Sequence, residues 1–143
     1  MKIAIAADHG GVELKDALVQ KFSALGITDL GTHGSDSVDY PDFGAALAKR
    51  VASGEFDRGI LICGSGIGIS IAANKIKGIR AALCHNAYTA EMARRHNDAN
   101  IIAMGGRVVD EATATAMTEL FLNTEFEGGR HARRVEKISA LEK

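Results

Sequence analysis

Cys63 stands where a short apolar run, Gly59-Ile60-Leu61-Ile62, gives way to Gly64-Ser65-Gly66-Ile67-Gly68. A thiol at the carboxyl end of a buried strand, just before a glycine-rich turn and a helix amino terminus, sees exposed backbone N–H groups and the positive end of the helix dipole. Both favour an anion, so the position suits a thiolate acting as a base near neutral pH. The plainer reading, a small core residue, is the common one for a cysteine taken at random; its place at a strand-to-helix loop weighs against that here. Gly64, Ser65, Gly66, Ile67 and Gly68 offer consecutive backbone donors for an oxyanion, an enediolate or a phosphate. A plain tight turn is the alternative.

Asp8 and His9 close the first apolar run, Lys2–Ala7. In a parallel sheet they would face the crevice that holds Cys63, where a carboxylate and an imidazole can grip hydroxyls or phosphate. Alone, an Asp-His pair is an ordinary cap. His96-Asn97 ends the fourth helical stretch and reads equally as a cap or as a site pair. Arg107, after Gly105-Gly106, and the cluster Arg130, His131, Arg133 and Arg134 offer forked donors for a phosphate dianion. Arg130 and Arg134 are spaced i,i+4, so on one helix they share a face and Arg133 points elsewhere. A solvated basic surface explains the same spacing. Cys84 lacks a following glycine loop and reads as core, while His33, His85 and Met92 suggest only surface or core roles.

Several classes of chemistry are disfavoured. A dinucleotide site normally has its glycine signature after the first strand, answered by an acidic residue ~20 positions on. Here the glycines follow the third strand, and Leu83–Tyr88 contains no Asp or Glu. Neither Gly-Lys-Ser nor Gly-Lys-Thr occurs, so a Walker-type loop is absent. Cys63 and Cys84 read as free thiols, and neither has a zinc-finger partner spacing, so no structural metal is expected. With 17 basic and 18 acidic residues and a net charge of -1, no global field points to nucleic acid or an anionic membrane. The lack of Trp and the presence of only two Tyr fit poorly with a base-stacking platform. Ile3–Ala7 is shorter than the ~7–15 residues of a signal-peptide core, and the chain reads as cytoplasmic.

These residues need a scaffold, and the hydrophobic pattern supplies one. At 143 residues and 46% hydrophobic content, the chain is expected to form a single domain over residues 1–143. Strand-like runs at Lys2–Ala7, Ile27–Leu30, Gly59–Cys63, Arg80–Cys84 and Ile101–Met104 alternate with helical patterns. The first helical stretch runs from Leu14 to Leu25 and is stopped by Gly26; the second is marked by Phe43, Leu47 and Val51, after the loop Gly31–Pro41. The third follows the glycines to about Lys75, the fourth covers Tyr88–His96 and the fifth Glu111–Leu122. Strands apolar throughout imply burial on both faces, hence an α/β fold with a five-stranded, doubly wound parallel sheet. Residues 130–143 add a C-terminal helix whose sparse stripe, Val135, Ile138, Ala140 and Leu141, is better suited to lying over a neighbour, such as a second subunit, than to completing this core.

Taken together, Ala-Ala-Asp8-His9-Gly-Gly, Asp39-Tyr40-Pro41, the stretch Gly59–Lys75, Arg95-His96-Asn97-Asp98, Gly-Gly-Arg107 and Gly-Gly-Arg130-His131 strongly resemble the ribose-5-phosphate isomerase B family, which also includes galactose-6-phosphate isomerase subunits. The resemblance spans nearly the whole chain. It implies a Rossmann-like sheet, a homodimer or dimer of dimers with active sites shared across the subunit boundary, a small sugar phosphate as substrate, and neither metal nor nucleotide cofactor. On that pattern Cys63 is the base, and Ser65 and His96 help open the sugar ring. Asp8, His9, Asn97 and the amides of residues 64–68 hold the substrate, and Arg107, Arg130 and Arg134 hold its phosphate; Tyr40 and His131 are weaker carry-overs. Some members use a Glu in the glycine loop as base, whereas this chain has Ile67, Ile69 and no carboxylate between Cys63 and Asn74, which supports the thiol. The expected reaction is ribose 5-phosphate to ribulose 5-phosphate through an enediolate. The alternatives are galactose 6-phosphate, allose 6-phosphate or a tetrose phosphate as substrate, or a non-catalytic sugar-phosphate- or flavin-binding module.

Overall fold

The computed structural model describes residues 1–142. Five strands, β1 (Ile3–Ala7), β2 (Thr28–Asp29), β3 (Arg58–Cys63), β4 (Ala81–Leu83) and β5 (Ile101–Gly105), form one sheet in the order β2-β1-β3-β5-β4. Every pairing is parallel. All residues of β1 and β5 are buried, as are the last five of β3, so the strands are apolar because both faces are covered.

Among the described residues, six α-helices accompany the strands: α1 (Val12–Lys21), α2 (Tyr40–Ala52), α3 (Ile67–Asn74), α4 (Ala87–Arg95), α5 (Glu111–Asn123) and α6 (Arg130–Ser139). Side chains along a strand alternate between faces, and the core divides accordingly. Ile3, Ile5, Ile60, Ile62, Ile102 and Met104 join Leu18 of α1, Ala90 of α4 and Phe121 of α5 on one face. Ala4, Ala6, Leu61, Cys63, Ile101 and Ala103 join Leu47 of α2 and Ile69 of α3 on the other. This is the consequence of right-handed crossovers: connections that step one way along the sheet use one face, and those that step back use the other. The result is a Rossmann-like, doubly wound α/β sheet with an additional C-terminal helix.

Several boundaries differ from the sequence pattern. α1 ends at Lys21, and Ser23–Leu25 form a separate 3-10 turn that closes on Gly26 at φ 63°. β2 shortens to two residues because it is an edge strand paired on one side only. α2 starts at Tyr40 with Pro41 in its first turn, where a missing N–H costs nothing. In α6 only His131 is buried, while Ile138 and the following Leu141 stay 43% and 78% exposed. Among the described residues, no helix is long and apolar enough to cross a membrane.

Candidate active site

The carboxyl ends of β1, β3 and β5 are neighbours, and the loops that leave them touch. Gly106 N–H donates to Cys63 O at 2.8 Å and Arg107 N–H to Gly64 O at 3.0 Å, tying the third loop to the second. Asp8 N–H donates to Ile62 O at 3.2 Å, tying the first to the second. Close approach explains the glycines here. A Cβ on Gly106 would stand 2.6 Å from Gly10 O, and one on Gly105 would stand 2.7 Å from Ser65 O. After β1 the chain turns into α1 on one face, and after β3 into α3 on the other, which opens the crevice between them.

Cys63 ends β3 and is 4% exposed. Its Sγ accepts the Gly66 N–H at 3.2 Å, a contact that strengthens when the acceptor is a thiolate. Gly66 caps α3 at φ 81°, a left-handed conformation, and a Cβ there would meet the Met104 carbonyl carbon at 2.7 Å. Ser65 is exposed beside it, with its Oγ accepting the Ile67 N–H at 3.2 Å. Gly68 lies against the ring of Tyr40, the first residue of α2.

The first loop adds Asp8, 6% exposed, whose Oδ1 accepts the Gly10 N–H at 2.9 Å. His9 Nδ1 accepts the Val38 N–H at 3.2 Å, which leaves Nε2 as the protonated, donating nitrogen. Arg107 contributes a guanidinium, its Nη1 2.8 Å from where a Gly64 Cβ would stand. Asp8, His9, Tyr40, Cys63, Gly64 to Gly68 and Arg107 therefore assemble in one crevice: a thiol, backbone donors, a carboxylate, an imidazole donor and a cation.

His96, Asn97, Arg130, His131 and Arg134 do not join them. His96 caps the carboxyl end of α4, and Asn97 lies just beyond it, in the connection that enters β5. Asn100, in that connection, accepts the Gly59 N–H at the amino end of β3. From Gly59 to Cys63 is four residue steps, roughly 13 Å at ~3.3 Å per residue. The His96 ring stacks on that of His131, with centroids 4.1 Å apart and planes 11° from parallel. Burial pushes the His131 imidazolium below its ordinary pKa; His96, Arg130 and Arg134 add to that, and Glu127 opposes it. Arg130 and Arg134 project from the exposed part of α6. The chain thus carries these two groups of residues at opposite ends of its sheet. A groove of about 650 Å³ with Ile79, Ala82, Ile138 and Leu141 in its wall runs beside Asn97 at the β4 edge, away from Cys63.

Three contributors escaped the sequence reading. The Val38 amide fixes the His9 tautomer, yet a backbone donor 29 residues away leaves no mark in composition. Gly105 is needed for the approach of Ser65, and the Gly-Gly pair that closes β5 was its only signal. Glu127 stands beside His131, Oε1 to Nε2 3.7 Å, and its i,i+4 spacing was the available hint.

Comparison with known proteins gives a consistent answer. Residues 3–138 match the family model described as ribose/galactose isomerase. Ribose-5-phosphate isomerase B of Escherichia coli is 48% identical over 143 residues, covering 99% of this chain and 96% of that protein. The solved structure of ribose-5-phosphate isomerase B from Clostridium thermocellum superposes with a TM-score of 0.97 at 56% identity, covering 99% of this chain and 97% of that one. The Mycoplasma genitalium enzyme of the same name, solved with bound ribulose 5-phosphate, gives 0.94 at 41% identity over 99% and 95% of the two chains. With the match running nearly end to end, the chain belongs to the ribose/galactose isomerase family.

Proposed function

We propose that this protein is a cofactor-independent aldose–ketose isomerase that interconverts ribose 5-phosphate and ribulose 5-phosphate in the cytoplasm. The observation that carries the reading is Cys63 in a glycine-loop crevice, its sulfur accepting the Gly66 N–H at the amino end of α3, with Asp8, His9 and Arg107 on the adjoining loops. Family membership supplies the reaction class.

The ring opens first, with Ser65 and His96 moving the proton between the ring oxygen and the anomeric hydroxyl. Cys63 thiolate then removes the proton on carbon 2, the carbonyl oxygen on carbon 1 takes up the negative charge, and the hydroxyl proton of oxygen 2 passes to oxygen 1 within the enediolate. As the enediolate collapses, oxygen 2 becomes the carbonyl and the Cys63 thiol returns its proton to carbon 1. Loop amides of residues 64–68 offset the transient negative charge, the type of interaction whose loss costs about 2.7–4 kcal/mol of barrier in oxyanion holes. Asp8, His9, Tyr40 and Asn97 hold hydroxyls. Arg107, Arg130 and Arg134, with His131 beside them, hold the phosphate, and that remote binding orients the reacting carbons.

His96 and Cys63 lie at opposite ends of one sheet, so they act on one sugar only if two copies meet. We read residues 1–143 as one isomerase domain that works as a homodimer, alone or paired into a dimer of dimers, with each site taking the Cys63 end of one copy and the His96 end of the other.

The test is proton NMR of metal-stripped protein in D2O with chelator, offered ribose 5-phosphate, allose 6-phosphate, galactose 6-phosphate and tetrose phosphates. Fast ketose formation with deuterium entry is expected for ribose 5-phosphate. Preference for another sugar would reassign the substrate, and no turnover across the panel would overturn the isomerase reading.

A further inference from the structure

We propose that His96, Glu127 and His131 form a binding site for a divalent cation of the zinc class, and that its occupancy silences the isomerase. One donor atom from each residue lies within 4.8 Å of the other two. Backbone hydrogen bonds hold all three in place. Glu127 N–H donates to Arg95 O at 3.0 Å, His96 N–H to Met92 O at 2.9 Å, and His131 N–H to Gly128 O at 3.0 Å.

The independent sign of a ligand is His131 Nε2. It is buried without a hydrogen-bond partner, in a residue 5% exposed. A buried polar atom left alone is costly, and a proton donor or a metal ion relieves it. Two imidazoles and a carboxylate favour a borderline ion such as Zn²⁺ over Mg²⁺ or Ca²⁺, and they leave the fourth tetrahedral position for water. Ligand bonds of ~2.0–2.2 Å put tetrahedral donors roughly 3.3 Å apart. The rings, 11° from parallel, must therefore fan apart so that both lone pairs meet one ion, the half-buried His96 turning towards the buried His131, and the donors must close inward by roughly 1.5 Å at most; Glu127, with a side chain 49% exposed, can follow. The silencing rests on the role proposed above for His96, because an imidazole nitrogen held by metal cannot carry the ring-opening proton; the binding does not rest on it.

The binding test uses the full chain carrying Cys63→Ala, which removes the competing thiol, titrated with Zn²⁺ by calorimetry and with Co²⁺ by visible absorption. One ion per chain and a tetrahedral Co²⁺ spectrum are expected. Glu127→Gln should weaken binding at least about tenfold and His131→Ala should abolish it, with each variant's fold checked by circular dichroism. Unchanged affinity in both variants, or no binding below about 1 mM Zn²⁺, overturns the site. With Cys63 restored, Zn²⁺ should inhibit turnover, and Glu127→Gln should isomerise normally in chelator while losing about tenfold in zinc sensitivity. Binding that depends on these residues but leaves turnover unchanged overturns the silencing, and with it the role given to His96, while the site stands.

Discussion

Replacing Cys63 by alanine removes one sulfur from a loop that its own contacts hold in place, since Gly106 and Arg107 still bond to the backbone of residues 63 and 64. The substituted protein should bind the sugar phosphate with KM within about threefold of the parent, while kcat falls at least about a hundredfold, the usual scale for losing a positioned base. Steady-state kinetics with ribose 5-phosphate decide it. A kcat within tenfold of the parent would transfer the base role to another group. Cys63 was legible because a thiol, a strand end and a glycine run coincide in the sequence. The orientation of His9 was not, because it depends on where the distant Val38 amide comes to rest.

At the scale of elements, two buried ionisable groups tie strands to helices, and both make the fold sensitive to alkali. Cys84, just beyond β4, is 1% exposed, and burial pushes its thiol up to about 11. The folded chain therefore keeps that proton where the unfolded chain, with an ordinary thiol pKa of ~8.5, has released it. Its contribution is complete below about pH 8.5 and is lost as pH rises to about 11, with a slope approaching 1.4 kcal/mol per pH unit. Lys15 of α1 acts in the same direction. Burial alone would push its ammonium down, but hydrogen bonds to Asp16 at 2.7 Å and to Asp29 of β2 at 2.6 Å outweigh it and hold the pKa above the ordinary value. Urea unfolding across this range should show stability falling with pH, and Cys84→Ala should flatten the slope below about pH 11 even though it lowers the plateau. An identical slope in the variant would mean that the thiol does not titrate differently on folding. The element types themselves were legible, because strands buried on both faces lose their polar positions. The ends were not: β2 fell to two residues and α1 stopped at Lys21, where tertiary pairing and the following turn override an apolar pattern that runs further.

At the scale of the molecule, topology decides which residues can cooperate. Each connecting helix runs back against its strands, so a residue at a helix carboxyl end lies at the opposite end of the sheet from a residue closing a strand. That rule alone separates His96, which caps α4, from Cys63, which closes β3. It was available from the sequence, whereas the insertion of β5 between β3 and β4 was not, since either arrangement buries the same apolar runs. The separation makes the proposed shared site testable by complementation. Cys63→Ala and His96→Ala homodimers should each be inactive, because every site lacks one partner. When the two are unfolded together and refolded at equal concentration, random pairing makes about half the dimers mixed. Within a mixed dimer, one site collects both substitutions and the other collects neither. Turnover should therefore return to about a quarter of the parent level, with a KM close to the parent's because the restored sites are intact. Mixing without refolding should give less, in proportion to how slowly subunits exchange. A refolded mixture that stays as inactive as its components, while sedimentation shows that dimers have formed, would mean that each chain completes its own site and that His96 serves some other step.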